Sequence, residues 1–198
     1  MNKDIILCGV GGQGTVLASK LIASAAMKDG QTVHSAETIG MAQRGGSVIS
    51  HVRIGDKAYS PLIPNGSADI ILAFEPAEAV RNLAYLKAGG LVIVNSVPVK
   101  PVTESLNDTG YDGKEMIEYL KTKCRNVIVV NAEELCREFG SSKFFNVAIL
   151  GVAVGSGKTG LSPENVLSEI ENRVPEKFRE LNIRAFLKGE QIGANYDA

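Results

Sequence analysis

Asp4-Ile5-Ile6-Leu7-Cys8-Gly9-Val10-Gly11-Gly12-Gln13-Gly14-Thr15 is an apolar run that stops in glycines and then opens into a long helix-compatible pattern. Ile, Ile, Leu and Cys in unbroken succession suit a strand buried on both faces, and Gly9, Gly11 and Gly14 stand at the spacing G-x-G-x-x-G. The physical reading is a strand, a tight turn and a helix N-terminus. Glycine at the first position permits a turn that a side chain would block. At the second it lets backbone N–H groups approach an anion, and at the third it lets the helix pack close to the sheet. Two readings follow: a phosphate-bearing ligand seated on this loop, with Gly12 and Gln13 in its wall, or a tight βα turn that holds nothing.

Outward from this stretch, Thr15 to Lys28 carries Leu17, Leu21, Ile22, Ala25 and Ala26 at helical spacing, and Asp29-Gly30 supplies a stop. Gln31 to Glu37 reads as a second, shorter strand. Glu37 lies about 20 residues past the glycine loop, where a dinucleotide fold places its ribose-binding acid, and taken alone it favours NAD. The next stretch, Ile39-Gly40-Met41-Ala42-Gln43-Arg44-Gly45-Gly46-Ser47, is glycine-rich and carries a single arginine. It leads into Val48–Ile54, a strand with clear alternation. Gly55-Asp56 then reads as a hairpin turn with Lys57–Ser60 pairing back, a hairpin inserted into a parallel plan. An arginine fork on glycine backbone binds phosphate or carboxylate bidentately or reaches into a partner subunit; the plainer reading of Arg44 is a solvated loop charge.

Further along, Ala68 to Phe74 reads as a buried strand ending at Glu75-Pro76, which puts Glu75 at a C-terminal strand edge, where ligands gather in open α/β sheets. A helix over Ala77–Leu86 follows, stopped by Lys87-Ala88-Gly89-Gly90 before the strand Leu91–Asn95. Ser96 to Tyr111 is irregular. Lys114–Lys123 reads as a helix, Asn126–Asn131 as a strand, Ala132–Phe139 as a helix and Lys143–Val154 as a helix apolar around most of its circumference. Ser162-Pro163 and Pro175 start two more helices, and Gly189–Ala198 reads as a frayed end. The alternation predicts an α/β fold: a Rossmann-like doubly wound, mainly parallel sheet with a β-hairpin insertion and a helical C-terminal segment. It makes one domain over residues 1–198, with the sheet core in 1–140 and the helical segment in 141–198.

Composition narrows the function classes. A charged fraction of 22% and a net charge of −1, with no basic stripe, give no electrostatic case for nucleic acid or an anionic membrane. No segment approaches the roughly 18 apolar residues of a membrane helix and no cleavage site follows Met1, so the expected location is cytoplasmic. Cys8, Cys124 and Cys136 form no C-x-x-C and support neither a disulfide framework nor a zinc or iron–sulfur site. His34 and His51 have no partners at ligand spacing, so no metal is expected. Gly155-Ser156-Gly157-Lys158-Thr159 imitates the end of a P-loop. It is rejected because Val152 stands where the motif needs glycine and an apolar helix, not a strand, precedes it. No local nucleophile-and-base set is complete.

Taken together, Gly9-Val10-Gly11-Gly12-Gln13-Gly14, Glu37, Gly40-Met41-Ala42-Gln43-Arg44-Gly45-Gly46-Ser47-Val48 and Phe74-Glu75-Pro76 resemble the gamma-type module of 2-oxoacid:ferredoxin oxidoreductases over nearly the whole chain. The Met-Ala-Gln-Arg-Gly-Gly-Ser-Val string points to the indolepyruvate branch of that family. The resemblance implies oxidative decarboxylation of an arylpyruvate with coenzyme A to an aryl-acetyl-CoA, with ferredoxin reduced. Such chemistry requires a thiamine carbanion sink and iron–sulfur electron carriers, and this chain has neither the cluster cysteine runs nor the thiamine-diphosphate and magnesium signature. The implied role is a subunit that binds no cofactor alone. Thiamine diphosphate, magnesium and iron–sulfur clusters are expected on a large alpha subunit, with ferredoxin, the 2-oxoacid and CoA as the other partners. On this reading Gly9, Gly11, Gly12, Gln13 and Gly14, with Glu37, Arg44, Gly45, Gly46 and Ser47, form one face turned to the partner's active site, and Arg44 holds a carboxylate or a CoA phosphate. The alternatives are an NAD(P)- or FAD-binding domain using Gly9, Gly11, Gly14 and Glu37, and an assembly module whose glycine loop is empty.

Overall fold

The structure, a computed structural model, describes residues 1–39, 45–56, 59–99 and 110–196. In chain order the elements are β1 (Lys3–Val10), α1 (Thr15–Lys28), β2 (Val33–Ile39), β3 (Ser47–Ile54), β4 (Ala68–Ala73), α2 (Pro76–Arg81), β5 (Leu86–Asn95), α3 (Lys114–Lys123), β6 (Asn126–Val130), α4 (Ala132–Cys136), α5 (Phe145–Gly155), α6 (Pro163–Arg173) and α7 (Glu176–Ala194). The strands lie in the order β2-β3-β1-β4-β5-β6. β1, β4, β5 and β6 are parallel neighbours, while β3 runs antiparallel to both β1 and β2.

The unbroken apolar run of β1 is explained by helices on both faces of the sheet. Ile5 and Leu7 pack with α1, α4, α5, α6 and α7 on one face. Ile6 and Cys8 pack with α2 and α3 on the other. The sequence sets the helix ends locally. Gly30, at φ 71°, turns the chain after α1. Glu75 caps α2 with Pro76 in its first turn, and Ser162 caps α6 ahead of Pro163.

The antiparallel insertion has different partners from those expected. Lys57 and Ala58 lie outside the described residues, and Tyr59 and Ser60 are bends, not a strand. β3 pairs with β2, Val33 opposite Ile54 through Ile39 opposite Val48, and on its other edge with β1. A strand has two edges, and both are taken. Arg53 clasps Asp4, its cross-strand partner, at 2.9 Å and donates to the Ser60 and Leu62 carbonyls, tying the returning chain down as a loop.

Two further boundaries differ. The helix expected over Ala77–Leu86 ends at Arg81; Leu83–Tyr85 is a single 3-10 turn, and Leu86–Gly90 belongs to β5, with a register shift opposite β4. The expected frayed end is helical through Ala194, and the reason lies in its glycines. A Cβ on Gly189 would fall on the Ala148 carbonyl oxygen and one on Gly193 on the Val152 carbonyl; from the other side, Gly151 and Gly155 would strike the backbone of Phe186 and Glu190. α5 and α7 therefore touch backbone to backbone. That contact is open only to residues without side chains.

Candidate functional site

The chain leaves β1 toward one face of the sheet through α1 and leaves β4 toward the other through α2, so the C-terminal ends of β1 and β4 flank a topological switch point. Open α/β sheets bind ligands in that crevice. Here Gln13 fills it. Its Oε1 accepts from the Val10 N–H at 2.7 Å and its Nε2 donates to the Phe74 carbonyl at 2.9 Å. Gly9 makes room for this: a Cβ there would stand 2.7 Å from Gln13 Oε1 and 2.9 Å from the Phe74 Cβ. The first glycine of the motif thus admits a protein amide, and the third, Gly14, is the left-handed N-cap of α1 and faces Asn146 of α5.

The segment that leads into β3 docks on the same loop. Gly11 N–H donates to the Gly46 carbonyl at 2.8 Å, and Gly45 N–H meets the Gly11 carbonyl at 3.5 Å. Ser47 donates to Glu78 at 2.5 Å, and the other oxygen of that carboxylate pairs with Arg81. Gly45, Gly46 and Ser47 are thereby brought to Gly11, Gly12 and Gln13. Arg44 lies outside the described residues, as do Gly40 to Gln43.

Glu37 is not drawn into this group. β3 lies between β2 and β1, so Glu37 sits two strands from the glycine loop, level with Leu7, and accepts from the Ser19 hydroxyl of α1 at 3.2 Å. In a dinucleotide fold the acid-bearing strand adjoins β1.

On the α2 side, Glu75 is buried and accepts from the Tyr111 hydroxyl at 2.5 Å and the Glu78 N–H at 3.0 Å. Burial, reinforced by Glu75, pushes the Tyr111 phenol well above its ordinary range. Asn95, at the end of β5, makes four bonds: Nδ2 donates to the Phe74 and Val97 carbonyls, and Oδ1 accepts from the Val97 and Ala132 N–H groups. His51 is an internal histidine; its Nδ1 accepts from Ile63 N–H, its ring stands edge-on to Tyr85 at 5.4 Å, and burial lowers its basicity. Gly155–Thr159 turns the chain out of α5 as expected of a helix end.

Sequence reasoning passed over Asn95, Tyr111 and Asn146. Asn146 did leave a signal, being the only polar side chain in α5. Asn95 left a weaker one, closing the apolar run Leu91–Val94. Tyr111 left none.

Gly12, Gly14, Asn95, Lys143 and Asn146 line a cleft of about 400 Å³ beside the glycine loop. The thiols do not fit an iron–sulfur cluster. Cys8 is sealed in β1 and Cys136 in α4, burial raises both, the second to about 11, and among the described residues no three His, Cys, Asp or Glu side chains converge. Nor is any described helix long and apolar enough to cross a membrane.

The family model described as pyruvate ferredoxin/flavodoxin oxidoreductase matches residues 4–192. The chain belongs to that family. Within the pyruvate ferredoxin/flavodoxin oxidoreductase family it is 40% identical over 185 residues to the indolepyruvate oxidoreductase subunit IorB of Pyrococcus horikoshii, covering 92% of each chain. To the subunit of the same name from Archaeoglobus fulgidus it is 41% identical over 190 residues, covering 96% of this chain and 94% of that one. The crystal structure of a keto/oxoacid ferredoxin oxidoreductase gamma subunit from Geobacter sulfurreducens superposes with a TM-score of 0.72 at 27% identity, covering 98% of this chain and 99% of that one. The six-stranded mixed α/β sheet is the fold of these gamma subunits.

Proposed function

We propose that the chain is the small subunit of an indolepyruvate-type 2-oxoacid:ferredoxin oxidoreductase, and that its glycine loop and the segment ending in Ser47 form one wall of an active site completed by a large partner. The observation that carries this reading is the docking of Gly45 and Gly46 on Gly11, which gathers two glycine-rich segments at the switch point of the sheet. The names of the archaeal relatives, which cover nearly the same length, support the substrate class. The overall reaction is loss of carbon dioxide from the 2-oxoacid, transfer of the remaining acyl group to CoA, and passage of the released electrons one at a time to ferredoxin. A thiamine ylid and iron–sulfur clusters supply that chemistry, and the lack of cluster cysteine runs and of a thiamine-diphosphate signature in this chain supports a division of labour in which the partner carries them. The contribution of this chain is to position and enclose. Arg44, next in sequence to the docked Gly45, supplies a bidentate cation for a carboxylate or phosphate.

The test is co-expression with the large subunit and assay of indolepyruvate-dependent viologen reduction. The complex should turn over and this chain alone should not. Arg44→Ala in the complex should raise the Michaelis constant for indolepyruvate or for CoA about tenfold or more, the loss of one charge-assisted pair. Turnover by the isolated chain, or unchanged constants in the variant, would overturn the assignment.

A further inference from the structure

Ser47 stands opposite Val10 on the last rung of the β1–β3 ladder. Beyond that rung the incoming segment meets the glycine loop through the 2.8 Å bond from the Gly11 N–H to the Gly46 carbonyl and the 3.5 Å contact from the Gly45 N–H. Gly45 and Ser47 are exposed, so water competes for these backbone groups, and glycine backbone has many other conformations to adopt. The side-chain tie is of a different kind. The Ser47 hydroxyl donates to the Glu78 carboxylate at 2.5 Å, the short, charge-assisted class of hydrogen bond. Glu78 is itself braced from every side. It is 3% exposed, its N–H donates to Glu75 at 3.0 Å, and its carbonyl accepts from the Asn82 side chain at 2.9 Å and from Cys8 Sγ of β1 at 3.5 Å. Its second carboxylate oxygen pairs with Arg81, and Glu75 is pinned in turn by the Tyr111 hydroxyl at 2.5 Å. An exposed glycine segment is thus tied to a buried, fixed anchor.

Stability does not account for this carboxylate. Arg81 lies largely in solvent, where an ion pair contributes little, and burying a charge is costly. What Glu78 supplies is a fixed point. We propose that Glu78 is a positioning residue of the wall: through Ser47 it holds Gly45 and Gly46 against Gly11 and so sets where the Arg44 segment begins. The proposal rests on the reading of that wall as part of a shared active site. It adds to the wall a residue of α2 that acts through Ser47 and not on the substrate.

Amide hydrogen exchange of the full chain, followed by NMR, reads the anchor directly. Ser47→Ala should speed exchange at the Gly11 N–H roughly tenfold, the loss of one charge-assisted bond from the local opening. Glu78→Gln, which leaves Ser47 a neutral partner at best, should speed it roughly threefold or more. Ser47→Thr restores the hydroxyl and should restore the parent rate. In the complex with the large subunit, Ser47→Ala and Glu78→Gln should raise the same Michaelis constant that Arg44→Ala raises and leave kcat unchanged, because only the holding of a substrate group is lost. Added to Arg44→Ala, either should raise it no further, since the position of an absent side chain has no effect. A carboxylate that serves the fold alone would lower the melting temperature and leave the Michaelis constants where they were. Parent-like exchange at Gly11 in Ser47→Ala overturns the proposal. So does a Michaelis constant that Arg44→Ala raises and neither variant moves, or one that both variants raise equally with and without Arg44. Should Arg44→Ala leave every constant unchanged, the assignment of Arg44 fails, and exchange at Gly11 still decides the anchor: faster exchange in Ser47→Ala upholds it and parent-like exchange removes it.

Discussion

Gln13 donates to the Phe74 carbonyl at 2.9 Å and so closes, with its own amide, the crevice between the ends of β1 and β4. The same amide accepts from Val10 at 2.7 Å, so one side chain pairs a backbone donor on β1 with a backbone acceptor just past β4. A pyrophosphate seated at this switch point would compete with Gln13 for the Val10 N–H. The glycine motif therefore shapes a turn around a glutamine, and the room for a ligand lies to one side, toward α5.

Replacing Gln13 tests how much this plug contributes. In Gln13→Ala the Phe74 carbonyl keeps its bond from Asn95, but the Val10 N–H loses its partner. The expected cost is about 1–2 kcal/mol, a fall of roughly 2–8 °C in melting temperature for a chain of this size. Gln13→Glu should cost more, since a carboxylate oxygen then faces the Phe74 carbonyl. Thermal unfolding followed by circular dichroism checks both; a Gln13→Glu variant more stable than Gln13→Ala would remove the plug from the account.

Gly189 offers a test in which local and tertiary effects have opposite signs. Within a helix, Gly→Ala is favourable by about 1 kcal/mol. Here the added methyl meets the Ala148 carbonyl, backbone that cannot step aside without moving α5. Overpacking of this kind costs about 1–3 kcal/mol or more, so Gly189→Ala should lower the urea midpoint. Gly140, where a Cβ meets nothing within 4 Å, carries a φ of 67° and is unsuitable as the neutral control; Ser168→Ala in α6 serves instead, losing only an exposed bond to Lys28.

These contacts mark how far the sequence could be read. The helix at Thr15–Lys28 and the buried strands β1 and β4 were legible because burial on both faces and helical spacing are written in consecutive residues. The partner of Val48–Ile54 was not. Alternation reports that a strand is half-buried and says nothing about which edge it joins, so the nearby Gly55-Asp56 turn points to a hairpin where the fold pairs β3 with β2 and β1. Gly189 and Gly193 looked like a helix ending for the same reason: a glycine demanded by another helix's backbone is indistinguishable, in sequence, from one that breaks its own. At the site, the glycine loop and Gly45–Ser47 were visible as motifs. Asn146 and Asn95 act on parts of the chain far from them in sequence, and their roles depend on what surrounds them.

Tyr111 should show its environment in a spectrophotometric titration. Burial, then the hydrogen bond to Glu75, holds its proton in the folded chain beyond the ordinary phenol range. Of the five tyrosines, Tyr59 is almost fully exposed, and Tyr111 should be the last to ionise. The linkage sign follows from the raised value. The unfolded chain loses this proton near pH 10, the folded chain later, so the stability it contributes is complete below about pH 10 and is lost as the pH rises further. Tyr111→Phe should flatten that alkaline loss while lowering stability at neutral pH by about 1–2 kcal/mol, because the Ala77 N–H and one Glu75 oxygen lose their partner.

Asn95→Asp provides a complementary test with a carboxyl group. The Oδ1 bonds from Val97 and Ala132 survive the substitution, but the second oxygen replaces an NH2 that donates to two carbonyls, at 3.1 and 3.0 Å. Asn95 is 3% exposed, so an ionised carboxylate there is both desolvated and opposed by the Phe74 and Val97 oxygens. The acid form can donate one of the missing bonds; the ionised form can donate none. The folded-state pKa of the introduced carboxyl must therefore lie above its unfolded value of about 3.9, and the variant's stability is fullest below that value and falls as the pH rises through the folded one. Urea unfolding of the variant and its parent at a series of pH values should show the gap between them widening from acid to neutral pH. A gap that stays constant would mean that the second side-chain oxygen at position 95 does not face the two carbonyls and that the junction of β4, β5 and α4 is held by other bonds.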